Sequence, residues 1–282
     1  MNLTDRIYVA VHVVLTLLVC TRYQRVEHWP WYVLWNVGAI AVILLLARKQ
    51  RDGRAWEFAH DWLPAVFFLT VFEEVSFLSL ALRRDWQNPQ LIAFESLLFT
   101  VPPMLWMHER AASWLVEFLE FGYFAFYPLY PAVGGLFWAW RERPGFVQAF
   151  RRLTDSLSIG YVVCYVTYLL FPTQSPANRL GVQQVASAHG GPFQFMVHSI
   201  QSRGGVHGNA FPSAHIMLAF VVLVFAYRFL PRVAPWLLIP ILLMCVGAVY
   251  DGYHYASDVV AGALVGIFVG LAFVRQSRLG AV

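Results

Sequence analysis

The chain has 282 residues, of which 59% are hydrophobic and only 13% charged, and its mean hydropathy is +0.57. About a quarter of a soluble domain's residues are charged, so this composition excludes a water-exposed globular surface and predicts a membrane protein. The formal net charge of +4 does not point to nucleic acid, because the basic residues sit in short loops between apolar runs; the 11 Trp, 13 Tyr and 23 Phe suit anchoring at two lipid interfaces.

Eight apolar segments are long enough, within some tolerance of about 20 residues, to cross the hydrocarbon layer, and in lipid they must be helical because backbone groups have to pair within the segment. The first, 7–21, has the apolar core of a signal peptide, yet no small-x-small pattern precedes Thr21 and Val19 spoils a lipoprotein site, so it is expected to be retained. Segments 31–47 and 62–82 follow, the latter carrying Glu73 and Glu74, whose cost in lipid predicts a polar cavity or pairing between helices. Leu91 to Met107 is also apolar, but Pro102 and Pro103 break it and Glu95 interrupts it, which predicts an interfacial or re-entrant piece. Segments 113–140, 156–171, 213–230, 233–250 and 256–274 complete the set, so the expected fold is all-α, a polytopic transmembrane helix bundle. Cys20, Cys164 and Cys245 lie inside apolar segments without CxxC spacing and read as packing residues.

With these spans, thirteen of the Lys and Arg residues fall on one side of the membrane and seven on the other. Cytoplasmic loops carry the excess, so both termini are expected in the cytoplasm and the 172–212 loop is expected to face outward. That loop contains Gly181, Gly190, Gly191, Gly204, Gly205 and Gly208 with three histidines, and a long loop of this texture is a candidate for function. His189, His198 and His207 are spaced nine and nine apart, which fits no helical ligand pair, so no metal and no cofactor are predicted.

Two short sequences carry the chemistry: Phe211-Pro-Ser-Ala-His215 opening the sixth span and Tyr250-Asp-Gly-Tyr-His-Tyr-Ala-Ser-Asp258 opening the eighth. One helical hairpin separates them, which puts His215 and His254 at the same membrane surface, where the fifth span also ends and delivers Pro172 to Arg179. His254 and Asp258 are four apart, which on a helix places them on one face. A carboxylate on one ring nitrogen fixes the tautomer, frees the other nitrogen's lone pair and stabilises the imidazolium as it forms. That assigns His254 as nucleophile toward a phosphate, Asp258 as its orienting group and His215 as the general acid and base. Ser213 is expected to cap the sixth helix, whose N-terminus favours phosphate, and Arg179 and Arg203 are candidates to clamp its oxygens, with anchoring of lipid headgroups as their competing role.

These motifs resemble the type 2 phosphatidic acid phosphatase superfamily of integral membrane phosphatases and phosphotransferases. Its second motif, Pro-Ser-Gly-His, stands here as Pro212-Ser213-Ala214-His215, and the His-x-x-x-Asp of its third motif as His254 and Asp258. The resemblance carries the acid-base histidine to His215 and the nucleophile and its carboxylate to His254 and Asp258. The Ser-Arg that opens the third motif falls on Gly247 and Ala248, and the first motif, Lys-x6-Arg-Pro, is missing. Both departures resemble the branch that includes inositol phosphorylceramide synthase, whose first motif is a proline-rich turn leading to a basic residue, here Phe171-Pro-Thr-Gln-Ser-Pro-Ala-Asn-Arg179.

The resemblance implies a six-helix phosphatase-like core over 62–282 with two added N-terminal helices in 1–61. It also implies a phosphohistidine enzyme of a bacterial inner membrane that takes a lipid-linked phosphate donor and passes the group to a lipid alcohol or to water. Transfer is favoured slightly over hydrolysis of phosphatidate or an isoprenyl phosphate. A proton-coupled lipid transporter using Glu73 and Glu74 is the rival from another class; it has no inverted repeat to support it and leaves the paired histidines without a task.

Overall fold

A computed structural model describes residues 1–82, 85–108, 112–180, 191–204 and 209–276. All regular structure among them is helical, and the chain divides into two compact units, Met1–Arg84 and Asp85–Val282.

The first unit holds α1 (Leu3–Thr21), α2 (Trp29–Lys49) and α3 (Arg54–Leu82), so α3 falls by its packing with the two helices before it. Helix α1 opens on a capping box: Asn2 Oδ1 accepts from the Asp5 N–H and Asp5 Oδ2 accepts from the Asn2 N–H, both at 2.8 Å. Asp5 also meets His60 Nε2 of α3 at 3.0 Å. One buried polar chain joins all three helices, with His12 on Asn36 Oδ1 and Asn36 Nδ2 donating to Glu74 Oε1 at 2.7 Å. Glu74 is thus used in the expected interhelical pairing, whereas Glu73, contrary to the expectation, is exposed on the surface of the helix and not enclosed.

The second unit contains α4 (Asn88–Leu98), α5 (Pro103–His108), α6 (Ser113–Phe124), α7 (Phe126–Ala139), α8 (Phe146–Leu170), α9 (Pro176–Leu180), α10 (Pro192–Gly204), α11 (Ala214–Phe229), α12 (Ala234–Tyr250) and α13 (Ala256–Gln276). Helices α1, α2, α3, α8 and α13 are long and apolar enough to cross a membrane, and α11 and α12 are shorter apolar helices.

Several features depart from the sequence expectation, among them the start of α3 at Arg54, ahead of the expected start at 62. Segment 113–140 is two helices joined at Ala125, because Pro128 has no N–H to give the Phe124 carbonyl and its ring crowds that carbonyl. Helix α8 begins at Phe146, ten residues before its expected start, since a helix continues past the apolar run through Arg151 and Arg152 once Gly145, at φ +85°, has turned the chain. Inside the 172–212 segment lies a helix of 13 residues, α10, whose first amides at Phe193 and Gln194 donate to the Glu117 carboxylate at 3.2 Å. The break in 91–107 runs from Phe99 to Pro102, and Pro103 opens α5, where a missing N–H costs no helical bond.

Close helix contact positions the site. Gly262 and Gly266 of α13 face α11 so tightly that a Cβ at either would lie 2.4 Å from a backbone carbonyl, Ser213 O or Met217 O respectively, and Gly270 meets Val224 one turn further along. This small-residue seam lets two apolar helices approach through van der Waals packing, which lipid does not drive hydrophobically. A second seam joins α6 to α12: a Cβ on Gly122 would strike Leu243, and one on Gly247 would lie 3.2 Å from Leu119.

Candidate active site

The site is built where the N-terminus of α11 meets the turn before α13. Ser213 caps α11, its Oγ 3.4 Å from the Ile216 N–H, and its own N–H donates to the Asp258 carbonyl at 3.1 Å. The segment leading to it is bolted to the proline-rich turn. Thr173 accepts from Ala210 N through its carbonyl (3.1 Å) and from Phe211 N through its hydroxyl (2.9 Å), while Tyr168 donates its phenol to the Pro212 carbonyl at 2.7 Å. The same turn reaches the other segment through Ala177 N, 3.0 Å from the Gly252 carbonyl. Pro172 to Arg179 therefore packs against both histidine-bearing segments.

His254 is not on α13, as its spacing from Asp258 had implied; it sits in the turn two residues before that helix. Asp258 reaches back instead. Its Oδ2 accepts from the Tyr255 N–H at 2.8 Å, the acidic half of a capping box, and so comes within 3.3 Å of His254 Nδ1. The nearer partner of Nδ1 is the Ala210 carbonyl at 3.0 Å. Two acceptors at Nδ1 place the proton there and leave Nε2 as the lone-pair nitrogen. Nε2 takes the hydroxyl of Ser213 as donor at 3.1 Å. Burial lowers the His254 pKa to about 4, its bond to Ala210 opposing this in part, so the imidazole is neutral at pH 7.

The His215 ring faces His254 with 6.1 Å between centroids, and Phe126 (4.7 Å, edge-on) and Tyr123 (5.9 Å) hold its other sides. Glu95, left without a role by the sequence, accepts from both the N–H (2.8 Å) and the hydroxyl (3.0 Å) of Ser257 and so clamps α4 to the first turn of α13. Asn88 ties Gln174 by a reciprocal pair of 2.9 Å bonds and reaches the Tyr255 phenol at 3.2 Å.

The anticipated phosphate ligands have separate fates. Ser213 is at the centre of the site, on His254 itself. Arg179 is exposed on α9, close enough to Tyr255 for its charge to oppose the upward shift that burial imposes on that phenol. Arg203 belongs to the last turn of α10, but its side chain lies outside the described residues, as do His189, His207 and the glycines at 181, 190, 205 and 208. The positions where the third motif would carry Ser-Arg are used for packing: Gly247 lies against Leu119, and Ala248 is fully buried with its carbonyl accepting from His254 N at 2.8 Å. An arginine side chain has no room there.

Ala210, Thr173, Tyr168 and Asn88 were not singled out from sequence. Two of them act through backbone groups, which every residue possesses, and the others are single polar residues without a motif.

Residues 89–272, well over half of the chain, match the family model described as the PAP2 superfamily; no curated protein and no solved structure gives a significant match. The matched region spans both histidine segments, the proline-rich turn and α4 from Pro89 onward with Glu95. The several long apolar helices of the whole chain make the protein an integral membrane protein. The chain belongs to the PAP2 superfamily and is an enzyme of phosphatase or phosphotransferase type.

Proposed function

We propose that the protein is a lipid phosphotransferase, resembling inositol phosphorylceramide synthase in its altered phosphate clamp, that works through a phosphohistidine on His254. The observation that carries this reading is the pinned imidazole: Nδ1 held by the Ala210 carbonyl and Asp258, Nε2 bearing its lone pair at the N-terminus of α11. Ser213 turns its hydroxyl from Nε2 to the phosphate as the donor enters, and the free amides opening α11 face the same charge. Nε2 attacks phosphorus and the P–O bond to the leaving alcohol breaks, with His215 giving its proton to the departing oxygen. An incoming hydroxyl then loses its proton to His215, attacks phosphorus and expels His254.

Arg179, at the mouth of the turn, supplies positive charge in place of the missing third-motif arginine. Transfer is favoured over hydrolysis because the protein lacks both arginine-bearing elements of the phosphatase pattern, and the buried Ala248 leaves no space to restore one. By the distribution of Lys and Arg, the site faces away from the cytoplasm, in the inner membrane of a bacterium.

The test is incubation of the purified protein with phospholipids, isoprenyl phosphates and ceramide, followed by mass spectrometry of the lipid products and acid-labile phosphoenzyme trapping. His254→Ala is expected to abolish the trapped species and turnover, and His215→Ala to stall turnover. Full activity in both variants would overturn the mechanism, and release of free phosphate alone would make the enzyme a phosphatase.

A further inference from the structure

Beside His215 lies a second group of buried polar side chains that the reaction above does not use. Tyr123 contacts the His215 ring on one side and the Tyr253 ring on the other, with 4.9 Å between the tyrosine centroids. The Tyr253 phenol donates to Glu120 Oε1. Glu120 on α6 lies close enough to Asp251, at the end of α12, for its charge to act on that carboxyl, because Gly122 and Gly247 bring these helices together. Helix α10 supplies His198, whose ring lies 6.4 Å from that of Tyr253, and Gln194 one turn earlier on the same face.

This group is short of partners. Glu120 is 0%, Asp251 1% and Gln194 2% exposed, yet Glu120 Oε2, both oxygens of Asp251, both polar atoms of the Gln194 amide and His198 Nε2 have no hydrogen-bond partner among the described residues. Each buried polar atom left unmet costs on the order of 1–3 kcal/mol, so several in one place point to a ligand that meets them. The unmet atoms are mostly acceptors and two of the side chains are acids, while no described Lys or Arg pairs with either acid. What meets most of them is a compact group with several donors and a positive charge, while the Gln194 amide N–H is left for an acceptor beside it. A primary ammonium has three N–H donors and that charge, and the Tyr123 and Tyr253 rings offer cation–π faces. A quaternary ammonium has no N–H to give, and a polyol brings no charge.

From this we infer that Glu120, Asp251, Gln194 and His198 form a headgroup pocket for a primary ammonium, which makes the donor a phosphoethanolamine-type lipid. The inference rests on the phosphohistidine reading for its chemistry. With the ammonium in this pocket and phosphorus at His254 Nε2, the Nε2–P bond forms as the P–O bond to the lipid alcohol breaks, and the alkoxide takes its proton from His215. The phosphoethanolamine group stays on His254 until an acceptor hydroxyl, deprotonated by His215, replaces the P–N bond with P–O.

The full-length protein, in nanodiscs, is given phosphatidylethanolamine, phosphatidylcholine, phosphatidylinositol or phosphatidate of matched acyl chains. The expected kcat/KM for the ethanolamine lipid exceeds that for the choline lipid by roughly tenfold or more, and Glu120→Gln and Asp251→Asn bring this ratio close to one. A preference for the choline or inositol lipid, or an equal loss on all four lipids in both variants, overturns the inference. The catalytically dead His254→Ala protein keeps the two readings apart: ethanolamine lipid should raise its melting temperature, and should do so less when Glu120→Gln is added. A thermal shift without turnover by the unmodified enzyme would refute the phosphohistidine reading and leave the pocket; no shift would refute the pocket.

Discussion

Replacing Asp258 by Asn separates the two supports of the His254 ring. In a serine-protease triad the equivalent change costs about 10⁴ in kcat, because the carboxylate alone selects the tautomer and its loss lets the ring present the wrong nitrogen. Here the Ala210 carbonyl, 3.0 Å from Nδ1, is the shorter contact, and Asp258 at 3.3 Å is at the long end of hydrogen-bond range. The tautomer therefore survives in Asp258→Asn, and what is lost is the negative charge that steadies the imidazolium. That loss is expected to be about 10²-fold in turnover, or about 2.7 kcal/mol of barrier. The Asn oxygen still accepts the Tyr255 N–H that Asp258 now takes at 2.8 Å, so folding is retained. Asp258→Ala removes that cap as well and is expected to cost about a further 1 kcal/mol of stability. Initial rates of lipid phosphate turnover and melting temperatures in one detergent measure both effects. A loss in Asp258→Asn as deep as that of His254→Ala would refute the claim that the backbone carbonyl holds the tautomer, and no loss at all would remove Asp258 from the chemistry.

Acidification tests the buried imidazole. Above pH 6.5 His254 is neutral in both folded and unfolded chains; between 6.5 and about 4 only the unfolded chain takes up the proton, so stability falls as pH falls through this window, by about 3 kcal/mol in all, and levels off below it. Phosphoenzyme formation in a rapid-quench burst should persist at pH 5, and half-loss near 6.5 would contradict a desolvated nucleophile. Gly266→Ala places a Cβ 2.4 Å from the Met217 carbonyl and is expected to lower stability by about 1–3 kcal/mol, whereas Gly38→Ala in α2, with nothing within 4 Å, should not destabilise; thermal melts compare them. Arg179→Ala is expected to raise KM for the lipid phosphate about tenfold with a smaller change in kcat, and Arg179→Lys to recover only part of this, because an ammonium lacks the two-pronged donor set of guanidinium; unchanged KM in the alanine variant would return Arg179 to the headgroup-anchor role.

Much of this architecture is written in local pattern. Apolar runs bounded by charge mark where helices cross lipid, because no other backbone conformation satisfies itself there. Ser213 before an apolar run marks a helix start, because its side chain suits an orphan amide better than it suits a helix interior. The four-residue interval from His254 to Asp258 marks a pair that can meet, although it does so through a capping turn and not along a helix face. Other features leave no such trace. Helix α8 runs ten residues beyond its apolar stretch because packing, not hydropathy, sets its start, and Pro128 splits a run that composition presents as continuous. The carbonyl of Ala210, the clamp of Glu95 on Ser257, and the meeting of Glu120 with Asp251 depend on which helices lie side by side. A backbone acceptor looks the same in every residue, and an acid 131 positions from its neighbour acquires its partner only when Gly122 and Gly247 let two helices touch. Short-range chemistry is therefore legible in the order of residues, while the surroundings that tune it arise from contacts between segments remote in the chain.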